Sequence, residues 1–210
     1  ENPLAMTSNQ EADVLDKTID VISKFTGKRP VGHMAPWWEL SPNTIALLRE
    51  RGIKYDSSLM EDDYHPYWLR DGDSWTKIDY SQDAKTWMKP WIPGKEVELI
   101  ELPASWWLDD APPTMFVKSF PNSHGWVTGR SLGEIWQDQF DWVYRNHSYA
   151  IFLCTIHPDS AGKPHVLMML ERIIDHMMAH TGVRMVTMEE MADDFSKRCP
   201  IGSGKDPIDL

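Results

Sequence analysis

The stretch TGKRPVGHMAPWWELSPNTIALLRERGIKYDSSL, residues 26–59, decides the fold. Gly27 stops a preceding helix, residues 29–35 read as a short strand, and that strand runs out into Ala35-Pro36-Trp37-Trp38-Glu39. Ser41 is placed to cap a second helix, with Pro42 at its first position, Ile45, Leu47 and Leu48 inward and Gly52 just past its end. Residues 53–55 open the next strand, so helix, strand, helix and strand alternate. Upstream, residues 7–24 carry Val14, Leu15, Ile19 and Ile22 near helical period, with Phe25 just beyond. Either Thr7 with Gln10 or Ser8 with Glu11 can form a capping box there.

Downstream, residues 56–95 are rich in Trp, Tyr, Asp and Pro and show no period. A stretch of that length inside a compact domain is usually functional or holds small elements of its own. Regular pattern returns with a strand at 97–102 and, after a second Trp- and Pro-rich stretch, a helix at 132–147. The run AIFLCTI, residues 150–156, reads as an apolar strand buried on both faces. A helix at 164–180 stopped by Gly182, a strand at 183–186 and a closing helix at 188–197 complete the order, and 199–210 read as a tail. Strands alternating with helices predict an α/β fold with a parallel sheet or barrel in one domain, residues 1–198.

Bulk properties agree with one core: 210 residues, 41% hydrophobic and 11% aromatic. A formal charge of −11 and a pI near 5.1 leave no clustered cations to displace counterions from a phosphate backbone, so nucleic acid is not an expected partner. No segment has the roughly 18 uninterrupted apolar residues of a membrane span, and the first residues lack the basic and apolar regions of an export signal. A cytoplasmic chain with no membrane partner is the expectation. The chain starts at Glu1 rather than Met, and an upstream segment is expected as well. Cys154, in its apolar run, reads as a buried thiol, Cys199 lies in the polar tail, and a disulfide between them stays open.

In parallel α/β folds ligands gather at the carboxyl ends of strands. Three post-strand segments combine aromatic surface with a titratable group: Pro36-Trp37-Trp38-Glu39, Trp106-Trp107-Leu108-Asp109-Asp110, and His157-Pro158-Asp159. An imidazole at a strand end is held rigidly and can serve as general acid or base, so His157 is the leading candidate; a satisfied structural histidine is the competing reading. Asp109 and Asp110 can orient such a histidine, bind a metal or solvate their loop. The Trp pairs can stack against a sugar or fill the core. His176 and His180 share a helix face at a spacing that can bind zinc. No Glu or Asp accompanies them as in H-E-x-x-H, and histidines suit a helix C-terminus anyway, so the pair is discounted.

These residues resemble the polysaccharide deacetylases of NodB homology (carbohydrate esterase family 4). Residues 26–59 are similar to the family's third motif block, ELPASWWLDD to the fourth, and FLCTIHP followed by GKPH to the fifth. The style is closest to the subgroup that contains Helicobacter peptidoglycan deacetylase-like proteins and cyclic imide hydrolases. The resemblance implies the C-terminal part of a distorted (β/α) barrel and a hydrolase of amide-type C–N bonds. It also implies one divalent metal, usually zinc, an Asp base and a His acid. By it His157 matches the general acid, Asp109 and Asp110 the acidic positions of the fourth block, and Pro36, Trp37 and Trp38 the pocket rim, with Glu39, Trp106 and Trp107 beside them for substrate. Met34 stands where many members carry Arg, which favours the imidase-like subgroup. The blocks T-F-D-D and H-x-x-x-H are absent, so the metal ligands and base are expected upstream and none within these residues. A glycan or small-molecule substrate is expected, and self-association or packing against a complementary N-terminal segment. Two alternatives compete: a non-catalytic carbohydrate- or protein-binding module, and an unrelated α/β domain using His176 and His180.

Overall fold

A computed structural model describes residues 2–116 and 125–209; residues 117–124, within the second Trp- and Pro-rich stretch, lie outside them. Helix α1 (Ser8–Thr26) opens on the capping box of Thr7 and Gln10 and closes on Gly27 in the left-handed region, φ 73°. Glu11, the other capping candidate, is buried instead against the start of the next helix. It accepts hydrogen bonds from Ser41 Oγ at 2.5 Å and from Thr44 Oγ1. That contact corrects the expected cap. The Ser41 hydroxyl serves Glu11 and accepts from Asn43 N–H, so α2 (Thr44–Glu50) starts past Pro42, with Asn43 at the cap position.

One four-stranded sheet holds β1 (Gly32–His33), β2 (Tyr55–Asp56), β3 (Tyr67–Asp71) and β4 (Lys95–Glu101) in the order β1-β2-β4-β3. The first, second and fourth strands are parallel, and β3 pairs antiparallel with β4. The sheet is therefore mixed and rich in parallel pairing. The strand that sequence did not show, β3, comes from the aperiodic 56–95 stretch, where a short Tyr-Trp-Leu run sits between Pro66 and the charged Arg70 and Asp71. The same stretch holds the short α3 (Ala84–Trp87).

Two expected strands do not form. Residues 150–156 run extended, but their backbone is satisfied by scattered bonds: Ile151 N–H to Tyr64 O, Thr155 N–H to Leu108 O, and Asp110 N–H to Thr155 O. Their apolar character comes from side-chain packing against helices, which looks the same in sequence as a central strand. Residues 183–186 join no ladder among the described residues; Val183 packs on the helical core instead. The 29–35 strand contracts to two paired residues at the sheet edge. Gly32 leaves room there for the Tyr55 ring, which a Cβ would meet at 2.1 Å.

The remaining helices are α4 (Ala111–Thr114), α5 (Gly129–Asn146), α6 (Pro158–Ala161), α7 (Pro164–Met178) and α8 (Met188–Arg198). Period-two alternation in β4 divides the core. Val97 and Leu99 face Ile19 of α1 and Leu48 of α2, while Ile100, with Leu102 beyond the strand end, faces Phe195 of α8. A third cluster joins α5 to α7 through Trp136, Phe140, Met169 and Ile173. Gly129 lets the two helices meet, because a Cβ would fall 2.5 Å from His165 O. Cys199 is no part of a loose tail. It is buried beside Phe195, and its carbonyl accepts from Trp68 Nε1 at 2.9 Å. Both cysteines are free thiols. No helix among the described residues is long and apolar enough to cross a membrane.

Candidate active site

The Asp109–Asp110 and His157 segments converge because the 105–110 loop and the 151–157 segment run side by side, bridged at Asp109 and Thr155. Asp110 is completely buried and its two oxygens are engaged. Oδ1 accepts from His157 Nδ1 and from His157 N–H, both at 2.9 Å, and Oδ2 accepts from Ser160 Oγ at 2.8 Å. A carboxylate can only accept, so the imidazole proton lies on Nδ1, and Nε2 is the nitrogen left for exchange. Asp109 Oδ1 stands 3.5 Å from the same ring nitrogen and accepts from Ala111 N–H. Burial pushes the Asp109 carboxyl above its ordinary range, opposed by the Ala111 N–H and by the imidazole. The result is a histidine held by a buried acid with its free face turned outward: the His157 side chain is 40% exposed.

Trp38 and Trp106 meet edge to face, ring centroids 4.5 Å apart. Trp37 and Trp107 are exposed at 66% and 75%, so neither doublet is core. Trp37 and Trp38 both have positive φ, 58° and 56°, a conformation that costs bulky residues free energy and persists only where surroundings impose it. Pro36 leads this turn and Glu39 closes it, its N–H donating to Pro36 O. The Trp106–Trp107 loop is tied down by Trp136 Nε1, which donates to Trp107 O at 3.0 Å.

Sequence reasoning missed the row that fastens the Trp turn. His33, Asp56 and Glu101 are register partners on β1, β2 and β4. His33 Nδ1 lies 2.6 Å from Asp56 Oδ1, Ser58 Oγ donates to the same oxygen, and Ala35 N–H, one residue before the turn, donates to Ser58 Oγ. Glu101 accepts from Ser58 and Leu59 N–H. Burial, and next the Asp56 carboxylate, push Glu101 up to about 9, so it is protonated at neutral pH. Three titratable residues closing short apolar strands were the available signal.

Asp109, Asp110 and His157 each offer a ligand atom within 4.8 Å of the others. Yet Asp110 is fully buried and both its oxygens are taken, by the His157 ring and N–H and by Ser160, so the group fits an oriented imidazole rather than a metal nest. Geometry thus defines a class: an α/β protein whose sheet end carries an aromatic rim and, beside the inner His33–Asp56 pair, a buried-acid–histidine pair with a partly exposed ring, His157–Asp110.

No family model matches the chain. It is 57% identical over 200 residues to a peptidoglycan deacetylase of Helicobacter pylori, covering 95% of this chain and 68% of the relative. It is 36% identical over 194 residues to a peptidoglycan deacetylase-like protein of Gibberella zeae, covering 89% of this chain and 57% of that one. A solved structure of a protein of Mycobacterium smegmatis described as a polysaccharide deacetylase superposes with a TM-score of 0.75 at 29% identity, covering 92% of this chain and 59% of that one. The chain therefore spans about two thirds of the first relative and less of the other two. It belongs to the polysaccharide deacetylase family, enzymes that hydrolyse carbon–nitrogen bonds.

Proposed function

We propose that this chain supplies the acid half and the substrate rim of a metal-dependent deacetylase centre that removes N-acetyl groups from a glycan. The observation that carries this reading is the His157–Asp110–Ser160 network: a buried carboxylate fixes Nδ1 and leaves Nε2 free on a ring that is 40% exposed. In amide hydrolysis the nitrogen leaves only when protonated, and Nε2 is the donor placed for it. Asp110 orients the ring and stabilises its charged form, with Asp109 as the weaker second carboxylate. The exposed Trp37 and Trp107 and the Trp38–Trp106 pair offer flat apolar surface to sugar rings.

A divalent metal, if bound, would polarise the amide carbonyl; Asp109, Asp110 and His157, hydrogen-bonded among themselves, serve as the acid side of such a centre rather than as its ligands. The names of the relatives favour a glycan. Opening a cyclic imide or ureide is the second reading, favoured by Met34, which puts a half-exposed thioether where a guanidinium is usual. β1 pairs on one side only among the described residues, which suits association with a second copy or a complementary segment; light scattering that finds a stable monomer would count against it. The functional test is acetate release from N-acetylated glycan oligomers, with succinimide and hydantoin as competitors, by the protein carrying these residues with zinc. Turnover of the glycan, lost in His157→Ala, supports the reading. Glycan binding without turnover would replace it with a binding module.

A further inference from the structure

A second histidine–acid cluster sits well away from His157, at the far ends of the two longest C-terminal helices. His176 and His180 project from the last turn of α7 and the residues after it, and Asp141 faces them from α5. From the start of α7 to His176 is 12 residues, roughly 18 Å along the axis at 1.5 Å per residue, so this cluster is separate from the proposed active site. The sequence pair lacks the acid of an H-E-x-x-H pattern; the fold brings Asp141 in from 35 residues away.

The local chemistry is specific. His180 Nδ1 lies 2.8 Å from His176 O. A carbonyl only accepts, so the proton is on Nδ1 and the Nε2 lone pair is free. A histidine that donates one ring nitrogen to a backbone carbonyl and offers the other is the arrangement metal-ligating histidines use. His176 Nε2 stands 2.6 Å from Asp141 Oδ1. The three ligand atoms all lie within 4.8 Å of one another. Ligands of a tetrahedral zinc at about 2.0–2.1 Å from the ion are roughly 3.3 Å apart, a value between the shortest contact here and that outer bound. An ion would open the His176–Asp141 contact and draw His180 inward. The surroundings are aromatic: the ring centroids of Phe140 and Tyr144 are 5.1 Å and 4.6 Å from that of His180. All three ligand residues are half-buried, which limits competing hydration while leaving a fourth position open to water.

We infer that Asp141, His176 and His180 form a zinc site that clamps the C-terminal end of α7 to α5, with water as the fourth ligand. Zinc at His176 Nε2 takes the neutral ring with its proton on Nδ1, so the His176–Asp141 hydrogen bond is exchanged for two bonds to the ion. This site is independent of the deacetylase reading.

The test is zinc titration of the protein against a chromophoric chelator, repeated on His180→Ala, Asp141→Asn and His157→Ala, with circular dichroism to confirm that each folds. Zinc should bind the His157→Ala variant as it binds wild type at this site, and weaken by more than about 100-fold in His180→Ala, since even outer-shell partners are worth roughly 10–100-fold. Asp141→Asn, which keeps shape and loses charge, should also weaken it, and zinc should raise the unfolding temperature of wild type but not of this variant. Affinity unchanged in both ligand variants, loss that follows His157→Ala alone, or no zinc bound by wild type would overturn the site.

Discussion

His33 with Asp56 and His157 with Asp110 are the same chemical pair in two regions of one sheet end. Both carboxylates are fully buried and both contact Nδ1. They differ in what lies on the far side of the ring. The His33 side chain is 16% exposed, its Asp56 partner is shared with Ser58, and Ser58 holds Ala35, so that network fixes the backbone of the Trp37–Trp38 turn. The His157 ring is 40% exposed, and among the described residues its acid binds that ring, the His157 N–H and Ser160. One pair builds a wall; the other presents a nitrogen. A histidine–aspartate contact is thus no signature of catalysis by itself, and accessibility of the second nitrogen decides which role it has.

The largest expected effect separates the two pairs by stability. Asp110→Ala leaves the part-buried His157 N–H and ring without their acceptor, the Ser160 hydroxyl keeping only His157 O, and should cost about 3 kcal/mol in urea unfolding. His157→Ala leaves Asp110 with the residue-157 N–H and Ser160 Oγ as donors and should cost less, about 1–2 kcal/mol. Equal losses would mean that His157 is a structural residue like His33.

Next comes pH. Because Glu101 is protonated in the fold and has an ordinary carboxyl range when unfolded, its contribution to stability is complete below about 4.5. It is lost as pH rises toward about 9. The thermal midpoint should therefore fall between pH 5 and pH 9, and Glu101→Gln should remove much of that fall. An identical pH slope in the variant would show that the row beneath the Trp turn does not hold a proton.

Smaller still, Trp107→Ala should leave stability within about 0.5 kcal/mol, since the ring is exposed. It should raise KM for a glycan oligomer several-fold with kcat little changed, the pattern of lost uniform binding. A fall in kcat alone would place Trp107 outside the substrate rim.

Sequence showed the helices and the strand-end segments well, because caps and 3.6-residue period are local. The Thr7–Gln10 box and the α8 boundaries were legible for that reason. It misplaced residues 150–156, whose apolar run is consistent with a central strand, and passed over β3, whose short Tyr-Trp-Leu run abuts two charges. The His157–Asp110 approach was legible as a possibility, because both lie where strands were expected to end. The His33–Asp56–Glu101 row was not, because each residue sits alone in its own strand and only lateral register assembles them. Asp141 was invisible beside His176 and His180 for the same reason, coming from another helix.

Leaving-group dependence tests the role of His157 most directly. An N-acetyl amide needs its nitrogen protonated, whereas an activated aryl acetate departs without a proton. The account predicts that His157→Ala lowers amide hydrolysis about 10²–10⁴-fold and aryl acetate hydrolysis less than about tenfold. An equal loss on both substrates would contradict it.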